Sequence, residues 1–296
     1  MLSQEEVIEV SEIGDWHITP DQQTTERMIR SLESGKVIYF PHLAFVPTKA
    51  ERRFLSADCS DGKAKNVSYD PRNGSIQGTS CKGADRGDLA AMISRFAAQA
   101  KALVESLFPH YVPHLKQART SYRPMPVEKR FASIRKDDSR LHVDAFASRP
   151  NCGMRILRVF TNINPEGDPR VWNIGENFEK FAPKYYGRIA RQWPGSAWLL
   201  EHLGITKGKR SLYDHIMLEL HDRAKMDDYY QQHCDKINFA FPAGSTWMMF
   251  SDRVLHAALS GQYLLEQTFN LPVSAMQDES RSPLRILEQS YQRKLA

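Results

Sequence analysis

Two groups of short β-strand candidates, separated by a helical block, constrain the fold of this chain most strongly. Runs rich in β-branched and aromatic residues, bounded by turn residues, predict the first group at 117–122, 131–134, 141–145, 155–163 and 170–172. The second group is predicted at 236–241, 246–250 and 264–271. Between the groups, 177–191 and 211–232 have helical apolar spacing. Many short strands flanked by helices predict an α+β jelly roll, the double-stranded β-helix of cupin-like proteins.

The rest of the chain adds elements at both ends of this core. A helix is predicted at 20–34, a strand at 36–40 and a long polar loop at 60–87. Apolar spacing predicts a further helix at 88–108 and a last one at 283–295. We therefore expect one domain over 1–296. Its parts are an N-terminal elaboration at 1–116, the β-helix core at 117–175 and 236–275, a helical insertion at 176–235, and a C-terminal helix at 276–296.

Composition excludes several classes of protein. The mean hydropathy is −0.51, and the sequence lacks an apolar run of about 18 residues, the length that a membrane span needs. The first 15 residues contain five acidic side chains and no Lys or Arg, unlike a secretory signal. The four cysteines lack the paired spacing of a zinc knuckle, so we expect reduced thiols and a cytoplasmic protein.

The basic residues are concentrated in one stretch. Residues 116–149 hold nine Lys or Arg against four acidic residues, a surplus of five that equals the net charge of the chain. The nine are Lys116, Arg119, Arg123, Lys129, Arg130, Arg135, Lys136, Arg140 and Arg149. Two interpretations stay open, a solvated loop or a binding surface for an anionic ligand. Because no helix-turn-helix, zinc-finger or RNP-type signature accompanies the charge, we expect no nucleic-acid partner.

His142 and Asp144 are candidate metal ligands. They are two residues apart in a predicted strand, so their side chains leave the same face. His256 ends a strand–turn–strand run that begins at Phe241 and is the candidate third ligand. Two histidines and one carboxylate leave three metal positions open, as in the facial triad of non-haem iron enzymes. A hydrolytic zinc site uses similar ligands, but the HExxH helix typical of such enzymes is absent from the sequence.

At this point the sequence resembles a known family. The stretches 142–144, 155–164 and 242–256 resemble 2-oxoglutarate oxygenases of the phytanoyl and prolyl hydroxylase type. More closely, 142–150, 155–165 and 170–172 resemble the bacterial hydroxylases of 3-deoxy-D-manno-oct-2-ulosonic acid (Kdo), and this resemblance extends over most of the chain. It implies a dioxygenase that uses Fe(II), 2-oxoglutarate and O2 to hydroxylate carbon 3 of Kdo in Kdo-lipid A, in the inner core of lipopolysaccharide. It implies an anionic glycolipid as substrate and no protein partner. Together with the basic stretch, it leads us to expect peripheral contact with the cytoplasmic membrane face.

The sequence departs from the family pattern at the cosubstrate clamp. Many of these oxygenases place an Arg ten residues after the distal His, where it pairs with the distal carboxylate of 2-oxoglutarate; here that position is Glu266. The usual hydroxyl two residues further on is Thr268. Because a buried carboxylate without a cation is costly, we expect the clamp to come from elsewhere. Arg158, which shares a strand face with Asn162, is the first candidate for this role, and Arg155 is the second.

Three further residues are candidates for binding the substrate. Arg170 and Trp172 share a strand face, which indicates either local packing or a wall that holds an anion and a sugar ring. Arg123, in the basic stretch, is a similar candidate for carboxylate binding. Two alternatives stay open. One is an oxygenase of the same class that acts on a lipid or a protein side chain, and the other is a non-catalytic metal- or sugar-binding jelly roll.

Overall fold

The computed structural model describes residues 2–129 and 133–296, and its strands form two sheets that pack face to face. The helices in these residues are α1 (Gln4–Val7), α2 (Gln22–Glu33), α3 (Gly83–Leu107), α4 (Phe178–Phe181), α5 (Ser196–His202), α6 (Leu212–Met226), α7 (Asp228–His233) and α8 (Pro283–Tyr291). The strands are β1 (Ile8–Val10), β2 (Val37–Phe40), β3 (Val67–Tyr69), β4 (Ile76–Gln77), β5 (Lys116–Arg123), β6 (Arg155–Asn162), β7 (Arg170–Gly175), β8 (Lys236–Phe241), β9 (Thr246–Phe250), β10 (His256–Ser260) and β11 (Leu264–Leu271).

Both sheets combine strands from before and after the helical insertion. The larger sheet has the order β1-β2-β9-β6-β11-β5-β3-β4, and the smaller has β10-β7-β8. Only the β1–β2 pair is parallel among the pairs of named strands in the described residues. Strands from the two halves of the chain alternate in this way in a double-stranded β-helix, so the predicted fold class is confirmed. The N-terminal strands β1–β4 extend the larger sheet at both edges.

The larger sheet has an apolar core on each of its faces. On the inner face, Phe160 and Trp247 pack against Trp172 and Phe241 of the smaller sheet. The rings of Phe241 and Trp247 stack with their centroids 4.0 Å apart. The outer face, which includes Leu157, packs against α2 and α3. Because side chains alternate between faces along each strand, β6 is buried at all eight positions.

Helix α3 covers the outer face because its apolar residues recur every three or four positions. Leu89, Met92, Ile93 and Phe96 are fully buried on this stripe. The helix begins at Gly83, five residues earlier than the sequence pattern predicts, and ends before Pro109, as expected. No helix among the described residues combines the length and the apolar character needed to cross a membrane.

Several sequence predictions of local structure are wrong. The 60–87 stretch is not a continuous loop, because it contains β3 and β4 at the sheet edge. The 141–145 stretch is extended but forms only an isolated bridge, and β10 was not predicted. Half of the strand expected at 131–134 lies outside the described residues, and its last residue begins a 3-10 helix.

The predicted helices after the first group of strands are shorter than expected. The one at 177–191 ends as α4 at Phe181, just before Pro183, and continues as 3-10 turns. The one at 211–232 divides into α6 and α7 at Asp227, whose side chain caps α7 by accepting a hydrogen bond from the backbone of Tyr230. Helix α8 ends four residues early because Gln292 adopts a left-handed conformation, with φ of 51°.

A buried ion pair on the outer side of β6 generates the first prediction. Nε of Arg155 lies 2.7 Å from Oδ2 of Asp252, both side chains are inaccessible to solvent, and the guanidinium lies 3.8 Å from the ring centroid of Phe250. Arg155→Ala leaves the carboxylate buried without its cation. We therefore expect it to lower the free energy of unfolding by about 3–5 kcal/mol, measured by urea denaturation.

The matched control is Arg281→Ala, which removes a half-exposed ion pair with Asp278. We expect this change to cost less than about 1 kcal/mol. An Arg155→Ala effect no larger than that of the control would contradict the prediction.

Candidate active site

The two candidate histidine ligands are joined through their backbones. His142 donates from its backbone N to the carbonyl O of His256 over 3.1 Å, and His256 donates in return over 2.9 Å. One residue earlier, Leu141 is held on both sides by the side chain of Gln231 on α7. The amide of Gln231 accepts from the backbone N of Leu141 at 2.8 Å and donates to its O at 3.0 Å. The 141–144 segment is therefore fixed without belonging to a regular strand.

The backbone also fixes the tautomer of each imidazole. Nδ1 of His142 lies 2.7 Å from the carbonyl O of Arg140, and Nδ1 of His256 lies 2.8 Å from that of Val254. A carbonyl only accepts, so each Nδ1 carries the proton and each Nε2 keeps its lone pair. Burial lowers the pKa of both histidines, and for His142 the neighbouring His256 lowers it further. Both rings are thus neutral, the form that binds a metal.

Asp144 completes the group. Its backbone N donates to the carbonyl O of Ser251 at 2.8 Å, and its Oδ1 lies 3.9 Å from Nε2 of His142. Its Oδ2 lies 3.0 Å from Nη2 of Arg158. Burial raises the pKa of the Asp144 carboxyl, but the nearby Arg158 and His256 outweigh burial and hold this pKa below its ordinary value. The carboxylate is therefore ionised, with one oxygen facing the histidines.

The donor set fits a transition-metal ion. One ligand atom from each of His142, Asp144 and His256 lies within 4.8 Å of the others, and all three residues are buried. Two neutral imidazoles and one carboxylate on one side suit non-haem iron(II) and leave coordination positions for other ligands. The ring of Trp172 stacks on that of His256, with centroids 5.4 Å apart and planes at 23°, and restricts its orientation.

The three side chains lie in a cavity of about 1180 Å³ between the sheets and the insertion. This volume exceeds that of a single small-molecule site, so it is large enough for two ligands side by side. Besides the candidate ligands, its walls include Arg123, Arg158, Arg170, Trp172, Glu266 and Thr268. The cavity thus contains most of the side chains that the sequence singled out.

Glu266 lies between two arginines on the neighbouring strands. It forms ion pairs with Arg123 on β5 and with Arg158 on β6, where Nη1 of Arg158 lies 3.3 Å from Oε1. Burial raises the pKa of the Glu266 carboxyl, but the two guanidinium groups, Arg123 first, lower it overall. Thr268 pairs with Arg158 in the strand register, and its hydroxyl lies 3.3 Å from Oε1 of Glu266. Position 266, which holds an Arg in many 2-oxoglutarate oxygenases, therefore holds a Glu in this chain, and this Glu orients Arg123 and Arg158.

Two predicted cosubstrate residues do not line the cavity. Arg155 is on the opposite face of β6 and pairs with Asp252, so the structure contradicts its assignment as a clamp. Asn162 shares the face of Arg158, but its amide donates to the carbonyl O of Asp168 at 2.9 Å and of Phe241 at 3.1 Å. The Asn162 side chain therefore stabilises the strand ends and does not bind a ligand.

Sequence reasoning missed the contribution of α6. Leu218, His221, Asp222 and Lys225 line the cavity, and the ring of His221 meets that of His142 edge-to-face with centroids 5.3 Å apart. Their spacing of three, four and seven residues places them on one helix face. Polar residues on that face were a signal for a site, but alone they are also typical of a solvated helix.

The basic stretch at 116–149 largely surrounds the cavity. Of its nine basic residues, five line the cavity in the described part of the chain: Arg119, Arg123, Arg135, Lys136 and Arg149. The side chains of Lys129 and Arg130 lie outside the described residues. This position favours the anionic-ligand interpretation over that of a solvated loop.

The geometry generates a prediction about metal binding. We expect His142→Ala, Asp144→Ala or His256→Ala each to reduce the affinity for Fe(II) or Co(II), because each change removes a donor atom. The reduction should exceed the roughly 10–100-fold that loss of an outer hydrogen-bond partner costs. Equilibrium dialysis measures the affinity, and circular dichroism checks the fold.

His221→Ala is the matched control, since it removes a neighbouring imidazole from the same cavity. We expect it to retain metal binding. Undiminished binding in any of the three ligand variants, or loss in the control alone, would refute this assignment of ligands.

Comparison with known proteins identifies the family. A family model described as 3-deoxy-D-manno-oct-2-ulosonic acid (Kdo) hydroxylase matches residues 15–294. One similar solved structure has 46% sequence identity to this chain. It is the Kdo hydroxylase KdoO, a non-heme Fe(II) alpha-ketoglutarate dependent dioxygenase, in complex with alpha-ketoglutarate and Fe(III). The match covers 98% of this chain and 97% of that one, with a TM-score of 0.95. A structure of KdoO with cobalt(II) is 47% identical over 97% of both chains, also with a TM-score of 0.95. No curated protein matches the sequence. The motif resemblance is confirmed, and the chain belongs to the Kdo hydroxylase family.

Proposed function

We propose that the protein is an Fe(II)- and 2-oxoglutarate-dependent dioxygenase that hydroxylates Kdo at carbon 3 within an anionic glycolipid, Kdo-lipid A. The observation that carries the proposal is the buried group of His142, Asp144 and His256 in a cavity large enough for two ligands. The ligands that KdoO binds in its solved structures support the same cofactor and cosubstrate here. The arginines of the cavity wall favour an acidic substrate over a lipid chain.

In this proposal the three ligands hold the iron on one side. Bound iron, with 2-oxoglutarate and O2, supplies hydroxylation of a C–H bond with release of succinate and carbon dioxide. The protein holds the donors in position through the carbonyls of Arg140 and Val254, which fix the imidazoles. Arg158 engages one oxygen of Asp144 and leaves the other toward the histidines.

A chain of ion pairs balances charge around the site. It runs in the order Lys65, Asp138, Arg123, Glu266, Arg158 and Asp144. Three cations face three carboxylates, so the chain is formally neutral. An iron(II) ion and the 2-oxoglutarate dianion together add no net charge. We infer that iron and cosubstrate together leave the balance of this chain of ion pairs unchanged, while the rest of the cavity wall carries a surplus of basic residues that favours an anionic substrate.

Arg158 is the proposed clamp for the distal carboxylate of 2-oxoglutarate. It is not a free cation, since it pairs with Asp144 and Glu266. Its Nε has no hydrogen-bond partner among the described residues, and the same holds for Nε of Arg123. Each guanidinium therefore retains a donor for a ligand, and Thr268 offers a hydroxyl beside them.

Arg170 and Trp172 are the proposed wall for the sugar acid, with Arg123 available to its carboxylate. Arg170 is held by a 2.8 Å hydrogen bond from Nη1 to the carbonyl O of Gly261. Nε1 of Trp172 is buried without a hydrogen-bond partner in the described part of the chain, so it offers a donor to a sugar hydroxyl. Peripheral contact with the membrane face that presents the glycolipid completes the proposal.

The function is tested by the substrate dependence of 2-oxoglutarate turnover. We expect Kdo-containing glycolipid to stimulate succinate formation by the Fe(II)-loaded protein and to gain one oxygen atom by mass spectrometry. Lipid A lacking Kdo and other sugar acids serve as controls. Equal stimulation by the controls, or an unmodified glycolipid, would refute the assignment of the substrate.

The clamp is tested by titrating 2-oxoglutarate at saturating Fe(II). We expect Arg158→Ala to raise the half-saturating concentration at least roughly tenfold, because it removes a charged partner of a buried carboxylate. Arg158→Lys should recover only part of the affinity, since an ammonium lacks the planar fork of a guanidinium.

Arg119→Ala is the matched control, because Arg119 lines the same cavity but pairs with Asp70 at 3.5 Å. Arg155→Ala is expected to act through stability and not through the half-saturating concentration. An unchanged value in Arg158→Ala, at undiminished iron affinity, would contradict the proposed role.

A further inference from the structure

The helical insertion exposes a dense group of apolar side chains. Among the described residues, twelve large hydrophobic side chains are exposed, and five of them lie between 193 and 205. These five, the tryptophan patch, are Trp193, Trp198, Leu199, Leu203 and Ile205. Trp193 is 81% exposed, and Leu203 is 62% exposed. A soluble protein rarely leaves such a group of side chains in water, so the patch indicates a binding surface.

The patch is attached to the rim of the active-site cavity. Directly after it, the backbone N of Lys207 donates to the carbonyl O of Ser148 at 2.9 Å, and Arg210 donates to the carbonyl O of Ala147 at 2.6 Å. Ala147 and Ser148 both line the cavity. Phe146, also on the cavity wall, is 38% exposed and adds an exposed apolar side chain beside Ala147. Whatever binds the patch is therefore held beside the cavity.

Basic side chains flank the patch. Residues 191–210 contain Arg191, Lys207, Lys209 and Arg210 against Glu201 alone, a surplus of three positive charges. Tryptophan prefers the interface between lipid and water, where its ring is apolar and its N–H stays hydrated. Exposed Trp and Leu with neighbouring Lys and Arg are the composition of segments that lie in the headgroup region of anionic membranes.

We propose that the tryptophan patch docks the protein on an anionic lipid bilayer, with its side chains in the headgroup region and the cavity rim at the membrane surface. This inference rests on the proposed function, since it assigns the surface through which the protein reaches a lipid-anchored substrate. It places the docking surface on the insertion, not on the basic stretch at 116–149. A second copy of the chain is disfavoured as the occupant, because a symmetric contact brings the same cationic rims together.

The distribution of tryptophans gives a direct readout. The other three, Trp16, Trp172 and Trp247, are at most 6% exposed. Emission that responds to an aqueous quencher therefore reports Trp193 and Trp198. On vesicles of phosphatidylethanolamine and phosphatidylglycerol we expect a blue shift, protection from acrylamide, and quenching by lipids brominated in their acyl chains. Vesicles of phosphatidylcholine alone should give a smaller effect, and added salt should weaken binding.

Variants test whether vesicle binding depends on the tryptophan patch or on a general attraction of the protein to lipid. We expect Trp193→Ser combined with Trp198→Ser to weaken co-sedimentation with the anionic vesicles at least roughly tenfold. Leu199→Ser combined with Leu203→Ser should weaken it while retaining both fluorescent reporters. The matched control is Val46→Ser combined with Val112→Ser, which removes exposed apolar side chains outside the patch and should leave binding unchanged.

Three outcomes would overturn the proposal. One is absence of vesicle binding, and another is binding without brominated-lipid quenching or without an effect of the patch variants. The third is a concentration-dependent dimer that the patch variants abolish, which would assign the patch to a second copy. Binding is measured without iron, cosubstrate or turnover. Its failure is therefore distinguishable from failure of the hydroxylase assignment, which detergent-dispersed glycolipid tests separately.

Discussion

The reciprocal backbone hydrogen bonds between His142 and His256 are the constraint on which the site depends. They join two segments that are distant in sequence, and Asp144 follows at the next position on the same face. A shift of one residue in either segment would turn its side chains to the opposite face. The register of this one bridge therefore sets all three candidate ligands. The pairing of β10 with β7 holds that register, because His256, the first residue of β10, pairs with Ile174 in the smaller sheet.

Two arginines of the cavity, Arg123 and Arg158, flank the position where many 2-oxoglutarate oxygenases carry a single Arg. Two buried guanidinium groups side by side repel each other and lose hydration, and each cost falls when a carboxylate lies between them. Glu266 occupies that middle position, on the strand between those of Arg123 and Arg158. The two arginines thus place positive charge one strand to either side of the position where many 2-oxoglutarate oxygenases carry an Arg.

The local periodicity of the sequence correctly predicted elements whose formation depends on residues close together in the chain. The strands β5, β6, β8, β9 and β11, the helix α3 and the face of β6 that carries Arg158 follow from alternation and spacing. The residues that form the site from distant segments were harder to predict. The partners of Arg158 and the role of α6 depend on which elements pack together, and no spacing in the sequence encodes that. The strand assigned to 141–145 was wrong because its hydrogen bonds go to a side chain, to one isolated bridge and to the carbonyl O of Ser251 in a turn.

Gln231 has a consequence for how the insertion and the β-helix can evolve. Its amide takes the place of a missing neighbouring strand for Leu141, beside the first candidate ligand. Because Gln231 belongs to the insertion, the segment that carries two candidate ligands is tied to the insertion, which also forms part of the cavity wall. The insertion is therefore not an independent module. A related protein in which a different insertion suits a different substrate must keep an amide beside Leu141, or hold His142 in another way.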